Sequence, residues 1–431
     1  MTNFVTGLRC VVDGKRFSPD EVLYVSPDYG NEGILDVEYD YEAIRHALGG
    51  GTLHFPLSAE WPVQGMMAYR PFLPVDANTP APPLLVGATP LYHAPRLAKA
   101  AGVADVWVKD DGRNPTASLK DRASTIAIMK AQELNADIVT TASTGNAAAA
   151  LAGLAASVGQ KTVIFVPASA PQAKIAQLLT YGATVMLVKG TYDDAFELCL
   201  QATAEFGWYC RNTGYNPYMA EGKKTVTFEM YDQLFMQGHT PAQLPTHIFV
   251  SVGDGCIISG VHKGLRDLEA VGLLPFMPRI IGVQAAGSSY LYDAWRNQED
   301  VLTKQPIPAD TIADSISAGL PRDRIKAMRA VTETDGAFVQ VTDEEILAAM
   351  PALAQGSGVF AEPAAAAAYA GLLKASQNGL VGKHDRALVL VTGNGLKDVA
   401  SAMKAVVGGQ VATVDPQITA VHEAMHQIAN K

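Results

Sequence analysis

From residue 106 onward, short apolar runs alternate with longer stretches whose apolar residues recur every three to four positions, the pattern of strands feeding helices. Strands are predicted over 106–109, 138–141, 162–166, 184–188 and 208–210, with helices over 122–134, 147–157, 172–181 and 193–206 between them. A second alternating block follows Asn216-Pro217, with strands over 247–252, 280–284, 338–341 and 388–392. Its helices are predicted over 225–236, 261–269, 343–355, 364–376 and 396–406, and residues 285–335 are less regular. The expected fold class is α/β: two open, mostly parallel sheets flanked by helices, with a cleft between the domains. Ligands of such folds bind at the carboxyl ends of the strands.

The first 50 residues read differently. Two turn-forming knuckles at 8–14 and 25–30 precede a strand-like stretch at 34–39. Paired knuckles of this shape hold zinc when they supply four thiolates or imidazoles. Here only Cys10 is a cysteine, with Asp13, Ser26 and Tyr29 at the other places, so a degenerate ribbon without metal is expected. Residues 50–90, rich in Gly, Pro and aromatics, read as an extended arm lying on the fold or on a partner subunit. The expected organisation is a ribbon-like element at 1–50, a large domain from 51–104 and 212–431, and a small α/β domain at 105–211.

Composition narrows the class. The chain of 431 residues is 48% hydrophobic and 18% charged, with a net charge of −10 and no basic cluster. That argues against nucleic acid or an anionic membrane as partner. No apolar run has the length of a membrane span, and Cys10, Cys199, Cys210 and Cys256 stand far apart with no CxxC. A cytoplasmic protein acting on a small molecule is expected.

Four segments carry candidate chemistry. Asn114-Pro115-Thr116-Ala117-Ser118-Leu119-Lys120-Asp121-Arg122 puts a lysine at a helix start, where Ser118 can cap and Asp121 suits the dipole. A lysine there reaches its neutral amine form more easily, as a Schiff-base lysine requires. Ser143-Thr144-Gly145-Asn146 follows a strand and opens a helix, offering amides and hydroxyls to an anion and the Asn146 amide to a ring oxygen. Gly253-Asp254-Gly255-Cys256-Ile257 can bring backbone N–H groups onto a phosphate. No GK[ST] follows it, and glycines spaced GxGxxxxG depart from the dinucleotide fingerprint. Thr392-Gly393-Asn394-Gly395-Leu396-Lys397-Asp398 ends a strand with a hydroxyl able to meet a pyridine nitrogen. An amine, a ring-oxygen donor, a phosphate cradle and a ring-nitrogen partner are what pyridoxal 5'-phosphate needs from a protein.

These motifs, with Glu221-Gly222-Lys223-Lys224-Thr225 and Glu362-Pro363, resemble those of the threonine synthases, in the tryptophan-synthase-β-like (fold type II) class of pyridoxal-phosphate enzymes. The resemblance implies that Lys120 forms the Schiff base, Asn146 bonds the ring oxygen and Thr392 meets the ring nitrogen. It also implies that Gly253, Asp254, Gly255, Cys256 and Ile257 hold the cofactor phosphate, and that Ser143, Thr144, Gly145 and Asn146 clamp a substrate carboxylate. The implied enzyme is a homodimeric carbon–oxygen lyase converting O-phosphohomoserine and water to threonine and phosphate. Three positions depart from the pattern: Ala147 where a hydroxyl is common, and Gly214 and Met219 where a serine and an arginine are typical. Either Lys109, Arg113, Lys223 or Lys224 holds the substrate phosphate, or the substrate carries none. The latter leaves β-elimination of the serine or threonine dehydratase kind, or β/γ-replacement. A non-catalytic pyridoxal-phosphate-binding homologue is the alternative from outside enzymology.

Overall fold

The structure, a computed structural model, describes residues 3–429 apart from 52, 59, 144, 171, 408 and 410. β1 (Val5–Cys10), β2 (Arg16–Phe17) and β3 (Leu35–Tyr39) form an antiparallel ribbon in the order β2-β1-β3. Leu35, Val37 and Tyr39 are buried while Asp36 and Glu38 between them are less so, the alternation of a strand with one face on a core. After α1 (Tyr41–Ala47), the arm includes α2 (Trp61–Gln64) and a 3-10 stretch, Gly65–Phe72, and inserts Met66, Tyr69 and Phe72 into the main core.

β4 (Leu91–His93), α3 (Pro95–Ala101) and β5 (Asp105–Asp110) lead into the regular fold. α4 (Lys120–Glu133), β6 (Ile138–Ala142), α5 (Asn146–Val158), β7 (Lys161–Pro167), α6 (Gln172–Thr180), β8 (Thr184–Val188), α7 (Tyr192–Phe206) and β9 (Tyr209–Cys210) follow. β6 to β9 make a parallel sheet in the order β8-β7-β6-β9. The chain continues through α8 (Tyr218–Met236), β10 (His247–Ser251), α9 (Cys256–Ala270), β11 (Arg279–Ala285), α10 (Tyr290–Asn297), α11 (Arg324–Thr332) and β12 (Ala337–Val341). It ends with α12 (Asp343–Ser357), α13 (Pro363–Gln377), β13 (Arg386–Val391), α14 (Val399–Ala405) and α15 (Ile418–Ala429).

The larger sheet runs β12-β11-β10-β13-β5-β4, parallel except for the antiparallel edge strand β4. β5, which the sequence reading puts at the start of segment 105–211, pairs with β13 and β4 in this sheet. β10 is buried at every residue, as expected of a parallel strand covered on both faces. The alanines of α13 let that helix lie close to the sheet, and a Cβ at Gly371 would stand 2.3 Å from a Val283 methyl.

α8 is buried on every side along most of its length. Its polar residues are paired across the chain: Tyr39 donates to Glu221 at 2.7 Å, Lys224 reaches Asp267 at 2.6 Å, and Tyr69 donates to Asp232 at 2.9 Å. Lys109, a sequence candidate for binding phosphate, is buried in this system, donating to Glu229 and Gln233, both at 2.8 Å. Lys224 is committed likewise, and neither amine is among the residues lining the two cavities at the strand ends. No helix among the described residues is long and apolar enough to cross a membrane.

Candidate active site

The carboxyl ends of β6, β9, β10 and β13 and the start of α4 converge on one cleft. A cavity of about 370 Å³ there is lined by Lys120, Ser143, Gly145, Asn146, Ala147, Arg211 and Asp254, among others. A second cavity of about 390 Å³ adjoins it across Asn146 and is walled by Glu362, Ser315 and Lys397. Thr144 lies outside the described residues.

Lys120 is the first residue of α4. The chain turns into the helix through Ala117, whose φ of +65° is a left-handed conformation uncommon for alanine. That turn is pinned to the end of β13: Leu119 N–H donates to the Thr392 carbonyl at 2.9 Å and Asn394 N–H to the Ala117 carbonyl at 3.1 Å. The amine is thereby held beside the segment carrying Thr392. Ser118 does not cap the helix, and its buried hydroxyl has no partner among the described residues. The Asp121 carboxylate instead folds back to accept from Thr116 N–H at 2.7 Å and from its hydroxyl. Burial lowers the Lys120 amine to a pKa of about 8, with the nearby charges of Lys223 and Arg211 adding to the effect.

The loop after β10 is shaped for close backbone approach. Gly255 caps α9 with φ +92°. A Cβ at Gly253 would stand 2.7 Å from the backbone of Ile316, and one at Gly255 would stand 2.8 Å from Ala327. Asp254 turns from the helix start, accepting from Arg322 N–H at 3.3 Å through its side chain. Cys256 opens α9, and its Sγ accepts from Lys223 Nζ at 2.7 Å. Ile257, next in the helix, is half-buried. Ser251 Oγ, at the end of β10, is buried without a partner among the described residues. Glycines that tolerate no Cβ, an unpaired hydroxyl, a buried lysine and a helix N-terminus together fit the phosphate of pyridoxal 5'-phosphate.

Asn146 opens α5, with Gly145 at the N-cap. Its Nδ2 donates to Glu362 Oε1 at 2.6 Å and faces Ser315 Oγ at 3.4 Å. Glu362 entered the sequence reading only as part of a motif. Burial raises its carboxyl to about 7, with Lys397 and the Asn146 bond opposing the rise. Between pH about 4.5 and 7 the folded chain therefore keeps a proton that the unfolded chain has lost, so stability falls as pH rises. Glu362→Gln should flatten that slope by up to about 1.4 kcal/mol per pH unit, read from urea unfolding across this range. An unchanged slope would show that Glu362 is ionised throughout.

Ser143 Oγ accepts from Gly145 N–H at 3.3 Å, so the hydroxyl is directed along the loop. Asn212 fixes the strand behind it, accepting from Ala142 N–H at 2.8 Å and from Thr141 Oγ1 at 2.9 Å. Ala147 lines the cavity with a methyl group. Gly214 takes φ +79°, and a Cβ there would stand 2.8 Å from Arg322. Met219 is fully buried in the hydrophobic core. Of the cations considered for the substrate phosphate, Lys223 reaches the site, whereas Arg113 is exposed. Arg211, unforeseen, follows β9 directly and lines the cavity. Its position just past a parallel strand is the signal that could have found it.

Comparison with known proteins gives a consistent result. The family described as "Pyridoxal-phosphate dependent enzyme" matches residues 83–393. Curated threonine synthases of Methanocaldococcus jannaschii and Methanosarcina acetivorans are each 36% identical, over 92% and 97% of this chain and 94% and 98% of their own lengths. That of Synechocystis sp. is 40% identical over 83% of this chain and 89% of its own. Among solved structures, Escherichia coli diaminopropionate ammonia lyase with an aminoacrylate-PLP azomethine intermediate matches with a TM-score of 0.64 at 20% identity, covering 84% of this chain and 95% of that one. Threonine deaminase isoform 2 of Solanum lycopersicum matches at 0.61 and 21%, covering 75% and 88%. At these identities the two structures establish the fold.

Proposed function

We infer the reaction from descent: this chain belongs to the family of pyridoxal-phosphate-dependent enzymes. It is a lyase of threonine-synthase type, taking O-phosphohomoserine and water to threonine and inorganic phosphate. What carries this reading is the meeting, in one cavity, of a lysine with a pKa lowered to about 8 and the strand-end groups of Ser143, Asn146 and Asp254.

Bound in this cleft, pyridoxal phosphate supplies an electron sink that acidifies the carbon–hydrogen bonds of an amino acid joined to it. Gly253 to Ile257, with Lys223, would hold its phosphate, Asn146 its ring oxygen and Thr392 its ring nitrogen. Thr392 carries a hydroxyl and not a carboxylate, so it would leave that nitrogen uncharged and would place more of the demand on Lys120. The Lys120 amine, its pKa lowered to about 8, would hold the cofactor when substrate is absent and would move protons at the substrate's α- and β-carbons. Ser143, Thr144 and the first amides of α5 would receive the substrate carboxylate at the positive end of the helix. Asp314, ion-paired to Lys174 of α6, lines the cavity together with Ser315.

The buried Met219 and the tightly packed Gly214 favour one second reading, β-elimination from an unphosphorylated amino acid. Incubating the purified protein with O-phosphohomoserine, homoserine, serine and threonine in parallel distinguishes the two. Phosphate and threonine are expected in equal amounts from O-phosphohomoserine. Keto acid and ammonia from serine or threonine, with no phosphate release, would replace the synthase reading. The chain is further read as a cytoplasmic homodimer. Exposed Leu396, Val399, Met403 and Val407 support a protein-covered surface near the cleft.

A further inference from the structure

Arg211 presents an unusual energetic situation. It is 1% exposed, and its guanidinium makes two side-chain bonds: Nε to Ser124 Oγ at 3.1 Å and Nη1 to Thr213 Oγ1 at 3.4 Å. Nη2 is buried with no partner among the described residues. No carboxylate among the described residues is paired with it. Asp254 accepts from Arg322 N–H, and Asp314 is tied to Lys174. A buried guanidinium with no counter-charge is costly to keep out of water, so its retention points to an anion that completes it.

The location says which anion. Ser124 lies one helical turn beyond Lys120 on α4, so Arg211 is held on the same face as the amine. The charge of Arg211 also acts on both Lys120 and Lys223. The 253–257 loop already has its own helix N-terminus and the Lys223–Cys256 contact for the cofactor phosphate. Arg211 is fixed instead to α4 and to the segment after β9, through Ser124 and Thr213.

We propose that Arg211, with Thr213 beside it, receives the phosphate of a phosphorylated amino-acid substrate and selects for it. This rests on the lyase reading above and supplies the cation that position 219 lacks. A planar fork with an unused edge suits a phosphate dianion, and as the γ-carbon–oxygen bond breaks it stabilises the departing phosphate, which keeps the electron pair.

The test uses holoenzyme carrying Arg211→Met or Arg211→Lys. In Arg211→Met, kcat/KM for O-phosphohomoserine should fall about 100-fold or more, mainly through KM, and inorganic phosphate should stop competing with substrate. Arg211→Lys should recover part of both. The methionine variant should unfold at or above the wild-type midpoint, because an unpaired buried charge has gone. Three results would overturn the proposal. Equal weakening of threonine binding would put Arg211 on the carboxylate. A comparable loss of cofactor affinity would put it on the cofactor phosphate. A lower unfolding midpoint with unchanged kinetics would make it structural. If wild-type holoenzyme releases no phosphate from O-phosphohomoserine, the reaction assignment falls. Titrating wild type and variant with inorganic phosphate, followed in the visible spectrum, then still decides Arg211: binding lost in the variant sustains the assignment, and binding unchanged ends it.

Discussion

Lys120→Ala is expected to reduce turnover by at least about 10³-fold and to abolish the visible absorbance of the lysine-linked cofactor. The size of the effect follows from how little else can replace the amine. Arg211 is a guanidinium and does not deprotonate in the working range. Lys223, the other nearby amine, is committed to Cys256. The start of α4 is fixed to Thr392 through backbone bonds that the alanine variant keeps, so the loss should be chemical and the fold should survive. Purified variant and wild type, compared by absorbance after incubation with cofactor and by phosphate release, decide the matter. Visible absorbance persisting in the variant would move the Schiff-base role to another lysine.

The largest effect on stability is expected two residues further on. Arg122 donates to Asp111 from Nε at 2.7 Å and to Glu229 from Nη1 and Nη2, both at 2.8 Å, with every partner fully buried. Burial pushes the Glu229 carboxyl up, but Arg122 and Lys109 outweigh it and hold the pKa at about 2. Arg122→Met leaves two carboxylates in an apolar interior with Lys109 as their one remaining cation among the described residues. A loss of about 3–5 kcal/mol in unfolding free energy at neutral pH is expected. The sign of the pH dependence offers a second check. In wild type the Glu229 contribution is present above pH about 4.5 and is lost as pH falls toward 2. In the variant the carboxyl is no longer held down, so the deficit against wild type should shrink on acidification. Chemical denaturation at neutral and acid pH measures both, and a constant deficit would contradict the account.

The strands were legible because parallel strands covered on both faces are continuous apolar runs: 247–252 starts with β10 and runs one residue past it, and 388–392 starts two residues after β13 begins and ends one residue past it. The strand ends, and with them the places of Asn146, Gly253 and Thr392, followed from those runs. α8 was harder to read. It is predicted from 225 but starts at Tyr218, because its first turns carry Glu221, Gly222, Lys223 and Lys224. A run of charged residues carries no apolar periodicity, whereas in the structure each buried charge has a partner from a distant segment. No local pattern encodes such pairing. The predicted helix over 396–406 divides into a 3-10 turn, Gly395–Asp398, and α14, because the Asp398 side chain accepts from Ser401 N–H at 3.0 Å and starts a new helix. Arg211 escaped notice for a related reason. One arginine after a two-residue strand acquires its meaning only when Ser124, 87 positions away, is seen to hold it beside Lys120.

α8 also governs how this molecule comes apart. The ribbon bonds it through Tyr39, the arm through Leu57 and Tyr69, α4 through Arg122, and α9 through Asp267. None of these segments can peel away without stranding a charge in hydrocarbon, so local opening there costs nearly as much as global opening. The backbone amides of α8 should therefore exchange with solvent only when the whole chain unfolds, which makes this polar helix the slowest-exchanging element and the ribbon part of the same cooperative unit.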